Sequence, residues 1–169
     1  MGLDFTHSID IARPAAEVFA FVADFENNPR WQKGMRACRW TSAERMAVGS
    51  TYVQEARFLG RRIETHFRVS ELEAGRRIGI ESTQSTFPIQ VTRSVEARPG
   101  GCRVTAHIRG QPTGLMALMS GLVRGSVRRD YLRLKAMLEA DDQRPMTSDR
   151  QPVTGGDDPR RRAADDPVG

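Results

Sequence analysis

The chain has 169 residues, a formal net charge of +5, 38% hydrophobic and 28% charged residues, enough for one globular core with material to spare. No run of about 18 apolar residues could cross a bilayer, and Met1-Gly2-Leu3-Asp4 lacks the basic-then-apolar opening of a secretory signal, so a cytoplasmic location is expected. The positive charge is nearly all arginine, scattered without a dense basic run in the folded part, which speaks for a solvated surface and against a nucleic-acid site.

Phe5, His7, Ile9 and Ile11 alternate with Thr6, Ser8 and Asp10, the pattern of a strand with one buried face. Pro14 suits the first turn of a helix that Val18, Phe19, Phe21, Val22 and Phe25 mark as short and apolar. Asn27-Asn28-Pro29 breaks it, and a second helical turn is expected over Pro29 to Gln32. Strands are then predicted at about 35–42, 50–59, 63–70, 78–82, 87–97 and 104–108. Alternation places Tyr52, Gln54 and Phe58 on one face, Phe67 and Val69 inward, Ser82 with Ile78 and Ile80, and Arg93 with Ile89, Val91 and Val95. The turns at Gly60-Arg61, Glu73-Ala74-Gly75 and Pro99-Gly100-Gly101 are short, which demands antiparallel neighbours.

Thr113 to Ala140 reads as one helix, on the order of 40 Å long. Leu115, Leu118, Met119 and Leu122 form an apolar stripe, with Arg124, Arg128, Lys135 and Glu139 expected on the opposite face. The stripe moves to Val127, Leu134 and Leu138 in the second half, so a kink is expected near Gly121 to Ser126. The first half would line a cavity and the second would pack on the first strand and helix. Arg129 and Arg133 would guard an entrance or form surface ion pairs. Residues 141–169 are rich in Asp, Arg, Pro and Gly and read as a disordered polar tail following a domain at 1–140. The architecture expected is α+β: a seven-stranded antiparallel sheet wrapped around the C-terminal helix.

The phrases Ile9-Asp10-Ile11-Ala12-Arg13-Pro14-Ala15-Ala16-Glu17-Val18-Phe19, Asp24-Phe25-Glu26-Asn27-Asn28-Pro29-Arg30-Trp31 and Val69-Ser70-Glu71-Leu72-Glu73-Ala74-Gly75-Arg76-Arg77, in this order of elements, resemble the START/Bet v 1-like (SRPBCC) superfamily. Within it the chain is most similar to the bacterial polyketide cyclase/dehydrase and lipid-transport group. The resemblance spans roughly residues 3 to 140. It implies a helix-grip fold with a cavity between sheet and helix, and binding of a lipid, sterol-like compound or polyketide. It also implies that a cyclase or aromatase is an alternative. Aromatase/cyclases of this family carry a cavity arginine on the strand matching Ile63 to Val69. Arg68 is the nearest counterpart, although the alternation turns it outward.

The residues themselves contain no zinc spacing, no phosphate loop and no nucleophile elbow, so neither a metal nor a cofactor is expected. Cys38 and Cys102 are expected to be free thiols. His7 faces inward as a general base, a hydrogen-bond donor or a satisfied core histidine. Arg93 would pair with a carboxylate, polarise an enol oxygen, or reach water at the sheet's rim. Tyr52, Gln54 and Ser82 could orient a polar ligand group. Phe21, Phe25 and Trp31 build the cavity base or simply pack the core. The ligand-facing set is completed by Phe58, Phe67, Val91, Leu115, Leu118, Met119 and Leu122. Binding of an apolar small molecule is the leading reading. Ring-closing catalysis by His7, Arg93 or Arg68 is the second, and docking of anionic partners through the arginines the third.

Overall fold

The computed structural model describes residues 2–58, 60–113 and 120–141. Strand β1 (Leu3–Ile11) leads into α1 (Ala15–Ala23), a 3-10 turn (Phe25–Asn27) and the single-turn α2 (Asn28–Trp31). Six strands follow: β2 (Met35–Trp40), β3 (Thr51–Phe58), β4 (Arg61–Glu73), β5 (Arg77–Gln84), β6 (Ile89–Arg98) and β7 (Gly101–Gly110). Helix α3 (Ser120–Asp141) is the last described element. The seven strands form one antiparallel sheet in the order β1-β7-β6-β5-β4-β3-β2. The fold is thus the expected helix-grip arrangement.

The register carries one inward row across the sheet. Phe5 pairs with Ile108, Ile108 with Val91, Val91 with Ile80, and Ile80 with Val69; one pleat away, Phe67 pairs with Tyr52 and Tyr52 with Trp40. Because strand side chains alternate, this row fixes which residues face the helices. Register shifts in β2, between Met35 and Ala37, and in β4, between Val69 and Glu71, bend the strands and help curl the sheet. At the β6–β7 hairpin, Gly100 takes a φ of 77°, and a Cβ on Gly101 would collide with the carbonyl of Ile11. Glycines there let the hairpin close against the end of β1.

Helix α1 lies on β6 and β7, burying Val18, Phe19, Val22 and Ala23. Helix α3 lies along β1 and touches α2. Two expectations for α3 need correction. Thr113 is not helical. Leu122 is 61% exposed and points away from the core. The second half packs on β1 as expected: Tyr131 and Leu134 are buried, with Val127, Met137 and Leu138 packed beside them.

Of the charged residues assigned to a solvent face, Arg124 and Arg128 are exposed, while Lys135 and Glu139 are half-buried, and all four also reach onto β1 and its end. The Arg124 and Arg128 guanidiniums stand 5.7 Å over the Phe5 ring. Lys135 donates to the Asp10 carbonyl at 2.7 Å, and Glu139 accepts from the Ala12 N–H at 2.8 Å. Long aliphatic stems can cover apolar surface while their charged heads find polar partners. Leu115, Leu118 and Met119, and the segment from residue 142 onward read as a tail, lie outside the described residues.

The two leucines of α3 test this orientation. Leu134 is fully buried and Leu132 is 59% exposed. Leu134→Ala should cost about 2–5 kcal/mol in denaturant unfolding, and Leu132→Ala less than about 0.5 kcal/mol. Equal losses would contradict this packing of α3.

Candidate functional site

The inward row and α3 do not close completely on one another. Between them lies a cavity of about 130 Å³. The sheet contributes Tyr52, Gln54, Phe67, Ile80, Ile89, Val91, Arg93 and Ile108. Asn28, Gln32 and Met35 close it from the α2 side, and Val127, Asp130 and Tyr131 from α3. Most of the sheet wall is apolar, with polar groups concentrated on the sheet centre, α2 and one face of α3.

Arg93 dominates the electrostatics. It follows Val91 on the same face of β6, directly beneath the end of α1, and is only 4% exposed. Its Nη1 donates to the Val22 carbonyl at 2.7 Å and to Asn28 Oδ1 at 2.9 Å. Its guanidinium carbon stands 5.1 Å from the ring centroids of both Phe25 and Trp31. The ring contacts and neutral acceptors stabilise the cation partially. Among the described residues no carboxylate lies within ion-pair distance of it, and its Nε has no hydrogen-bond partner. Of the alternatives read for Arg93, the inward one matches this position and the rim does not, because α1 and α2 cover it.

Aromatic rings surround this cation in two runs. Tyr52 stacks between Phe25, at 4.5 Å, and Phe67, at 5.2 Å, with Trp40 edge-on at 5.6 Å. On the other side Trp31 meets Tyr131 at 5.0 Å, and Tyr131 meets His7 at 5.7 Å. The Tyr52 hydroxyl is buried with no hydrogen-bond partner among the described residues. Burial pushes the Tyr52 and Tyr131 phenols upward, opposed in both cases by the Arg93 charge. Both are therefore neutral O–H groups at ordinary pH. Burial likewise pushes the Cys38 thiol up to about 12, so it is not a nucleophile.

Asp130, the carboxylate of the cavity wall, accepts from the Lys33 N–H at 3.1 Å and from Arg133 Nη1 at 2.9 Å. Burial raises its pKa against these bonds. Arg133 also donates to the Trp31 carbonyl at 3.0 Å, so it ties α3 to α2.

Of the residues singled out in the sequence, Tyr52, Gln54, Phe67, Val91 and Arg93 meet in this cavity. Phe25 and Trp31 lie behind its wall as core. Phe21 is half-buried under Arg30, 5.0 Å from its guanidinium. The Ser82 hydroxyl accepts from the Ile89 N–H at 2.9 Å and from Ser85 at 3.1 Å, so it secures the β5–β6 turn rather than a ligand. His7 faces inward as expected but packs between Phe5 and Tyr131, outside the cavity lining. Arg68 points outward and pairs with Glu81, whereas its neighbours Phe67 and Val69 are buried. The side chain of Phe58 lies outside the described residues.

Asn28, Gln32, Asp130 and Tyr131 are the polar wall residues that sequence reasoning passes over. Tyr131 has a legible signal, since it continues the Val127, Leu134, Leu138 spacing. Asn28 has none beyond its place before Pro29, where it reads as a helix breaker.

The sequence pattern of the family described as polyketide cyclase / dehydrase and lipid transport matches residues 3–139. No curated protein matches the sequence significantly. Among solved structures, a protein from Thermus thermophilus superposes with a TM-score of 0.69 at 16% identity, covering 82% of this chain and 99% of its own. A START superfamily protein from Mycobacterium smegmatis gives 0.63 at 15%, covering 82% and 95%. A major latex-like protein from Panax ginseng gives 0.64 at 12%, covering 81% and 97%. At such identities these likenesses speak for the fold alone.

His7 provides a pH test of this packing. Its pKa is lowered from the ordinary 6.5, first by burial and then by the Arg128 charge. The unfolded chain therefore binds the proton more readily, and stability falls as pH drops through and just below 6.5. Unfolding of the wild type and of His7→Phe should show a stability difference that shifts against the wild type in that window. A difference independent of pH from about 7.5 to 5 would contradict a half-buried His7 with a lowered pKa.

Proposed function

The chain belongs to the polyketide cyclase / dehydrase and lipid transport family, and from that premise we propose that it binds a compact, largely apolar small molecule in the cavity between the sheet and α3. The observation that carries this reading is a wall of Phe67, Ile80, Ile89, Val91 and Ile108 interrupted by a few polar groups, around a space of about 130 Å³. Binding sites for small molecules have this composition. The volume narrows the choice among lipid, sterol-like compound and polyketide. A cavity of roughly 150 Å³ takes one benzene-sized ring, and drug-sized ligands need about 300 Å³ or more. A single ring or a short chain end suits this volume.

Val127 supplies the test, because it borders the cavity from α3 without belonging to the fully buried core. Val127→Trp should fill the space while leaving the fold intact by circular dichroism. One-ring compounds that quench Trp31 and Trp40 fluorescence in the wild type should then lose at least about tenfold in affinity. Unchanged affinity would place the binding elsewhere.

One observation favours a second reading, ring-closing catalysis. The unpartnered Arg93 Nε and Tyr52 hydroxyl are donors of the kind that stabilise an enolate oxygen. On that reading Tyr52→Phe lowers turnover of a short poly-β-ketone by about 10²-fold, measured by loss of substrate. Turnover equal to that of the wild type would remove the assignment.

A further inference from the structure

We propose that the polar end of the cavity is a carboxylate site, in which Arg93 and Tyr52 hold an ionised oxygen, so that the ligand is a small apolar acid bound as its anion. This rests on the cavity being the binding site, and it names the class of molecule that the site selects.

The first ground is the donor balance. Arg93 and Tyr52 both line the cavity and are 4% and 1% exposed. Arg93 Nε and the Tyr52 hydroxyl are buried without a protein partner among the described residues. A guanidinium can only donate, and a neutral phenol donates readily. A ligand group that satisfies both must bring lone pairs.

The second ground is charge. A buried cation is costly unless a countercharge accompanies it. The groups around Arg93 are neutral: the Val22 carbonyl, the Asn28 amide oxygen, two ring faces and the Tyr131 phenol. The carboxylate in the wall, Asp130, is held by Arg133 and the Lys33 N–H and makes no ion pair with Arg93. A neutral carbonyl would satisfy a donor and leave the charge unbalanced. A carboxylate supplies both, with two oxygens for two kinds of donor.

The third ground is size. Arg93 Nη1 is already committed to the protein. That leaves few donors for a phosphate, which carries more charge and more oxygens. The apolar wall formed by Val91, Ile80 and Ile108 then suits the hydrocarbon part of a one-ring or short-chain acid.

Isosteric pairs separate this inference from the broader one. Calorimetric titration of the full chain at about pH 7 would compare benzoate with benzamide, phenylacetate with phenylacetamide and cinnamate with cinnamamide. At least one acid should bind about tenfold or more tightly than its amide. Tyr52→Phe should remove most of that advantage, and Arg93→Met all of it. Should Arg93→Met fail to fold, the Tyr52→Phe comparison stands alone. Amides that bind as well as their acids, or an advantage indifferent to Tyr52→Phe, would overturn the carboxylate site and leave the apolar cavity reading standing. Absence of binding by all six compounds would count against the cavity reading and the inference together.

Discussion

The buried guanidinium of Arg93 is the interaction around which the rest of this molecule is arranged. It joins three elements distant in sequence: its own strand β6, the carbonyl of Val22 near the end of α1, and Asn28 at the start of α2. The sharp path from α1 through the 3-10 turn to α2 places Phe25 and Trp31 against it. Two aromatic runs meet there, one reaching Trp40 and Phe67 through Tyr52, the other reaching His7 through Tyr131. A cation in this position is costly unless it is well enclosed and well paired. The rings and carbonyls supply part of that stabilisation, and the cavity lies where the remainder is missing.

Helix α3 sets how large that cavity is. Its second half enters the core through Tyr131 and Leu134, while Arg133 bonds the Trp31 carbonyl and Lys135 and Glu139 bond the end of β1. These anchors lie on both sides of the helix, against α2 and against β1, so the helix cannot settle further onto the sheet without breaking one set. The standoff leaves room for a ring.

The strands are legible in the sequence because each has one buried face, and a period of two is hard to mistake when apolar residues repeat it. Alternation alone turns Arg93 inward and Arg68 outward. What alternation does not reveal is how a polar inward residue is satisfied. Ser82 looks like a ligand contact in the sequence, but the β5–β6 turn needs its hydroxyl. For Arg93 the sequence leaves both a cavity position and escape at the rim open; α1 and α2 cover it, a long-range consequence of chain direction.

Helix α3 misleads for a related reason. Arg124, Arg128 and Lys135 carry charges, which mark a solvent face in an amphipathic wheel. Here their stems and heads lie on Phe5 and on a strand carbonyl. Tyr131, apolar over most of its surface and polar at its tip, is the residue on which that helix face turns.

The most direct test of this account is the NMR signal of the Arg93 Nε–H group. A guanidinium enclosed by Phe25 and Trp31 should give a slowly exchanging Nε–H resonance, displaced by the ring currents of both side chains and moved again when benzoate is added. A signal that exchanges rapidly at the position of exposed arginines, and does not respond to benzoate, would contradict the arrangement at its centre.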